Sequence, residues 1–323
     1  MLLLLALAVP LAVFGLTNDD DDQDEVALEG TEEADRLEGD TGDDFLDGMA
    51  GDDVMNGRAG DDIIFGREGE DVLQGEDGND MLCSGDDDDI VTGNRGQDFI
   101  EGQGGNDFVS GDYGSDTVNG DEGDDTVIGG RGSDIVIGSE GDDVVFGGIL
   151  NGLPLDLEEM TALRDGASLA DLNDGLDMRD DSMGNTLSGG TGDDDLILGS
   201  GDVASGHSGA DTFHIMSEQN GDTAPTILDY RGDDALTIIV DDVETADEIS
   251  VTEDGEDAVI RLGDDILARV EGMAGAITAA DITLISEAQV ESLFDPNTVV
   301  AEPAAVTPEA EAPAAIAPGV VVS

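Results

Sequence analysis

The stretch GDTGDDFLDGMAGDDVMN, residues 39–56, contains two copies of a nine-residue unit that decides the fold. The unit fills residues 30–146 thirteen times in succession, without an insertion. Its first position is Gly in twelve copies, its fourth is Gly in eleven, its sixth is always Asp and its eighth is always aliphatic. This pattern predicts a tight turn followed by a short strand, because glycine adopts the positive φ values that such turns need.

The unit is too small to bury its own apolar side. Successive units must therefore stack on one another to form a core, as in other repeat proteins. In such a stack the aliphatic position 8 fills the interior, and the aspartate at position 6 stays at the turn. The repeat thus predicts a stacked β-structure with its position-6 aspartates at the turns.

Position 6 differs from position 5 in how much it varies. Position 5 is acidic in seven units, but it is Asn79, Gln97 or Ser115 in others. If position 6 were only a solvent-exposed surface position, its residue type would vary in the same way, but it is Asp in every unit. Identical carboxylates stacked about 4.8 Å apart repel one another. A bound cation would relieve that repulsion, and carboxylate and carbonyl oxygens suit Ca²⁺ better than Mg²⁺.

The pattern resembles the G-G-x-G-x-D-x-U-x repeat of RTX, or hemolysin-type, calcium-binding proteins. The resemblance covers somewhat over a third of the chain. It implies an all-β fold class in which two units form one coil of a parallel β-roll. Several Ca²⁺ ions, on the order of eleven, would lie between turns, held by aspartates two units apart and by turn carbonyls.

The resemblance also names the metal ligands. The aspartates are Asp44, Asp53, Asp62, Asp71, Asp80, Asp89, Asp98, Asp107, Asp116, Asp125, Asp134 and Asp143, with Asp194 and Asp211 further along the chain. The turn glycines are Gly39, Gly42, Gly48, Gly51, Gly57, Gly60, Gly102, Gly105, Gly120 and Gly123. Two units depart from the pattern, GTEEADRLE (30–38) and SGDDDDIVT (84–92), so the weakest sites are expected at Asp35 and at the turn 86–89.

Composition agrees with a cation-binding protein. The chain has 80 acidic and 10 basic residues, none of them lysine, and a formal charge of −70. This charge excludes nucleic acid as a plausible partner. A disordered acidic tail is the alternative, but disorder would not keep register over residues 30–146. Cys83 is the only cysteine, so metal replaces disulfides as the stabilising crosslink.

The N-terminal segment 1–16, MLLLLALAVPLAVFGL, is apolar and uncharged. Three interpretations stay open: a signal-like export segment, an uncleaved membrane anchor, and a start-site artefact or buried segment. An acidic linker is assigned to residues 17–29 and the β-roll to residues 30–148. The acidic repeat is expected outside the cytoplasm, so the protein is predicted to be secreted or anchored at the cell surface.

The repeat register breaks after residue 148. Residues 149–183 are predicted to be an insertion with a helix at 155–164, because Asp156 is placed to act as its N-cap. Residues 184–214 are degenerate repeats in which Asp194 and Asp211 keep position 6.

The C-terminal third has a different pattern. Short alternating apolar runs separated by Asp-Gly turns predict a small antiparallel β domain at residues 215–290. Residues 291–323 are rich in Pro and Ala and are predicted to be disordered. The family resemblance implies a type I secretion signal there, and hence the secretion machinery as a partner.

No catalytic motif is found: the chain lacks H-E-x-x-H, G-x-S-x-G and P-loop sequences. His207 and His214 are interpreted as polar surface. The enzyme domain that precedes the repeats in many family members has no room in 29 residues, so a non-enzymatic structural or interaction module is predicted. Two alternatives stay open: an enzyme or effector with a site in residues 149–285, and an adhesin-like module that binds itself or a surface polysaccharide.

Position 7 should point away from the core residue at position 8. It is apolar in ten of thirteen units, which strand propensity alone could explain. Three Phe and a Met in an exposed stripe would instead mark a contact surface, so at least one outer face is predicted to be covered. The two predicted stripes are Phe45, Ile63, Met81 and Phe99 on one face, and Val54, Val72, Ile90 and Phe108 on the other.

Overall fold

The computed structural model describes residues 25–150, 153–169, 178–217, 223–240, 243, 246 and 248–294. Within these residues the protein is all-β, and two long sheets face each other as a parallel β-solenoid. The parallel roll predicted from the repeat is confirmed. The predictions for residues 1–16, for most of the linker 17–29 and for the tail from residue 295 fall outside the described residues.

Strands are numbered in chain order over both sheets. Sheet A has the order β1 (Ala27–Glu29), β3 (Phe45–Ala50), β5 (Ile63–Glu68), β7 (Met81–Asp86), β9 (Phe99–Gly104), β11 (Thr117–Glu122), β13 (Ile135–Glu140), β17 (Thr186–Thr191), β19 (Val203–Ser208), β21 (Thr226–Ile227), β25 (Asp265–Val270), β24 (Asp257–Leu262) and β23 (Ile249–Asp254). Sheet B has the order β2 (Arg36–Glu38), β4 (Val54–Ala59), β6 (Val72–Asp77), β8 (Ile90–Gly96), β10 (Phe108–Gly114), β12 (Thr126–Arg131), β14 (Val144–Phe146), β18 (Asp195–Leu198), β20 (Thr212–Met216), β22 (Ala235–Val240) and β26 (Ile282–Ser286).

The strand register follows the repeat. Within residues 27–146 each strand pairs in parallel with the strand eighteen residues later, as Phe45 does with Ile63. The same register continues across the insertion, where Ile135 pairs with Thr186, a separation of 51 residues and therefore 33 more than one coil. The insertion leaves the stack and returns to it without disturbing the pairing, because both sheets resume in the same coil.

The core is one column of position-8 side chains between the sheets. Leu46, Ile100 and Val145 are among its members and are fully buried. The column continues without a break into the C-terminal strands through Leu236 and Ile282. The apolar interior predicted for position 8 is therefore present over the whole length of the roll.

The insertion contains the predicted helix, α1 (Leu157–Arg164). Asp156 caps it: the Asp156 side chain accepts hydrogen bonds from the backbone N–H groups of Glu158 and Glu159, and Glu159 completes a capping box. The insertion also forms a small antiparallel pair, β15 (Ile149–Leu150) and β16 (Met178–Arg179). No helix in the described parts of the chain has the length and apolar character needed to span a membrane.

Sheet B is covered on its outer face. Helix α1 lies against β4, β6 and β8, and its Met160 and Leu163 share one buried cluster with the position-7 residues Val72, Ile90 and Phe108. At the far end, helix α2 (Glu287–Val290) and a 3₁₀ turn (Glu291–Phe294) pack over the same face. Phe294 contacts Phe146 there, with the ring centroids 5.6 Å apart. The prediction that at least one apolar stripe is covered is confirmed for this face.

The two stripes give a direct test of this packing. Phe108 on sheet B is 2% exposed, whereas Phe99 at the same unit position on sheet A is 39% exposed. Phe108→Ala should lower the free energy of unfolding of the calcium-loaded chain by about 3–5 kcal/mol, as for other buried aromatics. Phe99→Ala should cost far less. Equal losses in denaturant unfolding of the two variants would contradict the burial of sheet B.

The C-terminal third combines two kinds of strand pairing. The antiparallel pairing predicted for residues 215–290 is present in β23, β24 and β25. Strands β21, β22 and β26 instead extend the parallel sheets, and their side chains belong to the core of the roll. These strands therefore lengthen the roll, which ends at β26 in sheet B and at β23 in sheet A.

Candidate calcium sites

The position-6 aspartates form two columns, one along each line of turns. Within a column, Oδ1 of each aspartate accepts the backbone N–H of the aspartate one coil earlier, which is eighteen residues earlier as far as Asp143. Asp107 accepts from Asp89 in this way at 2.8 Å, and Asp125 accepts from Asp107 at 2.8 Å. One column contains Asp44, Asp62, Asp80, Asp98, Asp116 and Asp134, and the other contains Asp53, Asp71, Asp89, Asp107, Asp125, Asp143, Asp194 and Asp211.

The second carboxylate oxygen, Oδ2, is buried in thirteen of these aspartates without a hydrogen-bond donor from the described residues. They are Asp53, Asp62, Asp71, Asp80, Asp89, Asp98, Asp107, Asp116, Asp125, Asp134, Asp143, Asp194 and Asp211. A buried, unpaired carboxylate oxygen is costly, and folded proteins avoid it unless a cation or a donor is supplied. A repeated column of such oxygens therefore fits a series of bound cations.

The glycine at position 1 keeps this space open. A Cβ on Gly48 would lie 2.3 Å from Oδ2 of Asp53 and 2.8 Å from the carbonyl oxygen of Gly66. A Cβ at Gly48 would therefore collide with both oxygens. A carboxylate oxygen and a carbonyl oxygen consequently face one common volume, and these are the ligands that Ca²⁺ prefers.

The glycine at position 4 serves the stacking of the turns. Gly60 has a φ of +130°, and a Cβ there would lie 2.1 Å from the carbonyl oxygen of Gly42 in the coil before it. The unit 84–92 replaces this glycine with Asp87, whose φ is 81°, and places Gly85 two positions earlier with a φ of +132°. The turn therefore survives, and Asp89 keeps the same buried, unpaired Oδ2 as its neighbours.

Burial dominates the electrostatics of the columns. It raises the pKa of Asp71 and Asp125 to about 8, and that of Asp89 to about 9. Neighbouring carboxylates of the same column raise these values further, and the backbone N–H donors lower them. Without a cation, these side chains resist ionisation at neutral pH. When bound, Ca²⁺ supplies the positive charge that the ionised column needs.

These shifts predict an unusual pH dependence for the calcium-free chain. An aspartate such as Asp125, with its pKa raised from 3.8 to about 8, holds more protons in the folded state than in the unfolded state. Its destabilising effect is absent below the unfolded pKa and grows as the pH rises towards 8. Circular dichroism should show more β-structure at pH 5 than at pH 8 without calcium.

The dependence should reverse with calcium present, because protons compete with the metal for the carboxylates. The calcium midpoint should therefore move to higher concentrations as the pH falls. A native β signal that is equally strong at pH 5 and pH 8 without calcium would contradict the burial of these groups in the folded state.

The N-terminal end of the columns is different. Oδ2 of Asp44 accepts the N–H of Asp40 at 2.7 Å, and Oδ2 of Asp35 accepts the N–H and hydroxyl of Thr31 at 2.6 and 2.7 Å. Both oxygens already have protein donors. They offer less to a cation than the buried oxygens of the later aspartates.

Two further aspartates extend the columns and were missed in the sequence. Asp202 follows Asp194 by eight residues rather than nine, so it falls out of the repeat count, yet its Oδ1 accepts the N–H of Asn185 at 2.9 Å. Asp234 accepts the N–H of Asp211 at 3.3 Å. The pairing of the strands reveals this continuation, and a repeat search that allowed a one-residue deletion would also have found Asp202.

Asn185 interrupts one column. Its side-chain oxygen accepts the N–H of Asp134 at 2.9 Å, as an aspartate would, but its amide nitrogen donates to the carbonyl of Gly147 at 3.0 Å. A donor thus stands where the other units present an oxygen. Among the described residues no group of three or more His, Cys, Asp and Glu side chains converges, so each candidate site consists of carboxylates supplemented by backbone carbonyls.

The sequence model of the RTX calcium-binding nonapeptide repeat matches residues 29–64, 56–91, 84–118, 92–127, 119–152 and 184–203. These residues are RTX calcium-binding nonapeptide repeats. The matched ranges contain twelve of the thirteen aspartates with a buried, unpaired Oδ2, all except Asp211. The RTX repeats therefore coincide with the part of the fold whose buried carboxylate oxygens lack a hydrogen-bond donor.

A search of curated proteins finds no match for the chain. Among solved structures, the extracellular lipase LipA from Serratia marcescens matches 82% of the chain at 15% identity, with a TM-score of 0.21. The chain spans 41% of the length of that lipase.

The two histidines have different environments. His207 is exposed on β19. The interpretation of His214 as polar surface is wrong, because it is buried on the outer face of sheet B. Its ring nitrogens lie 2.7 Å from the hydroxyl of Thr237 and 2.6 Å from Oδ1 of Asp195. The covering of sheet B, which the sequence does not show, explains the burial.

Proposed function

We propose that the protein is exported and folds on calcium, and that its RTX roll serves as a non-enzymatic structural or interaction module. The observation that carries the proposal is the series of thirteen buried, unpaired Oδ2 atoms. A fold that depends on filling such sites suits a medium rich in calcium, where weak sites with dissociation constants of about 10⁻⁴–10⁻³ M are occupied. The chain then stays unfolded inside the cell and folds outside.

Export can be tested by expressing the full chain beside a type I exporter in a bacterial host. The protein should appear in the medium, and a variant without residues 295–323 should stay in the cells. Release of both forms in the absence of the exporter would contradict the proposed route. Full-length protein retained in the cell envelope would favour the anchor interpretation of residues 1–16.

Ion selectivity tests the coordination itself. The oxygen-lined turns should respond to Ca²⁺ and much less to Mg²⁺, because Mg²⁺ demands a strict octahedron and gives up its water reluctantly. Circular dichroism at equal millimolar concentrations of the two ions makes the comparison. Equal refolding by Mg²⁺ would indicate general charge screening instead of specific sites.

A second candidate function is hydrolysis at His214. A hydroxyl, an imidazole and a carboxylate in contact form the arrangement of nucleophile, base and orienting group in many hydrolases. Here the hydroxyl belongs to Thr237 and the carboxylate to Asp195. Hydrolysis of short p-nitrophenyl esters by the calcium-loaded chain, lost in His214→Gln, would support this function over the structural one.

A further inference from the structure

The two outer faces of the roll share one sequence pattern but differ in exposure. On sheet B, Val72 and Ile90 are 0% and 5% exposed beneath α1. On sheet A, the equivalent residues Ile63, Met81 and Phe99 are 39%, 40% and 39% exposed. Sheet A therefore presents an apolar stripe on adjacent strands, and no described segment of the chain covers these three side chains.

We define this surface as the sheet A stripe: Phe45, Ile63, Met81 and Phe99, on β3, β5, β7 and β9. It ends where Thr117 replaces the apolar residue on β11. Phe45 is extended sideways by Phe65, with the ring centroids 5.9 Å apart. A contiguous aromatic and aliphatic patch of this kind usually marks an interaction surface.

The covering of sheet B shows which kind of segment fits such a face. Helix α1 places Met160 and Leu163 on the apolar residues, while its last residue, Arg164, lies at the acidic turns. Nη1 of Arg164 lies 3.4 Å from the carbonyl oxygen of Asp52 and 3.3 Å from that of Glu70. An apolar helix face bordered by a cation thus satisfies both the stripe and the turns beside it.

The surroundings of the sheet A stripe have the same two properties. Exposed carboxylates border it on both sides, at the turn residues Asp43 and Asp61 and at the strand ends Glu68 and Asp86. Arg67, which lies on β5 with Ile63, is already engaged by Asp47, with Nη2 and Oδ2 2.6 Å apart. The stripe and its border are therefore complementary to a helix that is apolar on one side and basic along its edges.

We propose that the sheet A stripe is the docking surface for a cationic amphipathic helix of another protein. The proposal rests on the role of an interaction module put forward above and names the chemistry of the partner. A second copy of this chain is a poor occupant, because each copy has a formal charge of −70 and faces the other with carboxylates on both sides of the stripe.

The probe is a synthetic amphipathic helical peptide of Leu and Lys, titrated into the calcium-loaded full chain at physiological salt and followed by calorimetry. The test variant is Ile63→Thr/Met81→Thr/Phe99→Thr. Thr already occupies this position in β11 and β17 of the same sheet, so the fold should tolerate it. The triple substitution should weaken peptide binding by about tenfold or more.

Two controls separate the stripe from the charge of the protein. Val203→Thr also replaces an apolar residue with Thr on this face of sheet A. Val203 pairs with Thr186 and lies outside the stripe, so the substitution should leave peptide binding unchanged. A peptide of identical composition with its Leu and Lys scrambled should bind far more weakly. If both peptides bind equally well and the triple variant binds like the wild type, charge alone is responsible and the proposal is wrong.

Hydroxyl-radical footprinting of Met81 and Phe99 identifies other occupants. Both residues should be reactive in the free, monomeric chain and protected by the peptide. Protection in the free monomer would mean that another segment of this chain covers the stripe. If the free wild type is a dimer with both residues protected, and the triple variant is a monomer, the stripe binds a second copy of the chain. Either result overturns the proposal.

A calcium titration followed by circular dichroism distinguishes failure of the docking proposal from failure of the proposed function. If the wild type folds on calcium as proposed but does not bind the peptide, only the docking proposal is wrong. If the triple variant does not fold, Phe99→Thr alone provides the test. It removes the exposed aromatic ring of the stripe and changes only one residue. Unchanged peptide binding by that folded variant would also count against the proposal.

Discussion

Removing calcium from the purified chain should convert the β-roll into an expanded, largely unstructured chain. The apo turns gather buried carboxylates, and a site that is absent from the unfolded chain contributes its binding free energy to folding. A site with a dissociation constant of about 10⁻⁴ M adds about 1.4 kcal/mol at millimolar calcium. A few such sites together match the whole net stability of an ordinary domain, about 5–15 kcal/mol.

The measurement is circular dichroism with size-exclusion chromatography across a calcium titration. At submicromolar calcium the chain should have a large hydrodynamic radius and little β signal, and at millimolar calcium it should be compact and β-rich. The transition should be cooperative, because each carboxylate column is continuous from coil to coil. A native β signal that persists in excess EGTA at neutral pH would refute the coupling of calcium to folding.

The second large effect is expected from Asp107→Asn. The Asp107 carboxylate lies in the middle of its column, with Oδ1 bonded to the N–H of Asp89 and Oδ2 buried and unpaired. Asparagine preserves the first contact and removes the charge from the second. The calcium midpoint should rise and the transition should become less cooperative, because the candidate sites on both sides of Asp107 lose a charged ligand.

Asp124→Asn is the matched control. Asp124 occupies position 5, one residue before Asp125, and Asp125 follows Asp107 in the same column. Oδ1 of Asp124 also accepts a backbone N–H, that of Asp142 at 2.9 Å, but the side chain is exposed. Asn106 already makes the equivalent contact to the N–H of Asp124 at 2.9 Å. The control should leave the midpoint nearly unchanged. Equal shifts in the two variants would show that general acidity, rather than coordination, stabilises the roll.

Much of this structure is local and could therefore be predicted from the sequence. Glycine at position 4 must adopt a positive φ, and glycine at position 1 must leave room beside the aspartate, so the spacing of Gly48, Asp53 and Met55 already specifies a turn, a ligand and a core residue. Repetition of that unit then forces stacking, since no single unit can bury its apolar residue. The helix α1 was equally predictable, because Asp156 and Glu159 provide its N-terminal cap within four residues.

Other features depend on contacts between distant segments, and only the tertiary structure decided them. Phe99 and Phe108 occupy the same position in equivalent units, yet one is exposed and the other buried, because the chain between residues 149 and 169 returns to sheet B and not to sheet A. Asp202 joins its column although a one-residue deletion hides it from the repeat. The strands β21, β22 and β26 continue the core of the roll because they pair in parallel with its last strands. Their local sequence does not show this pairing.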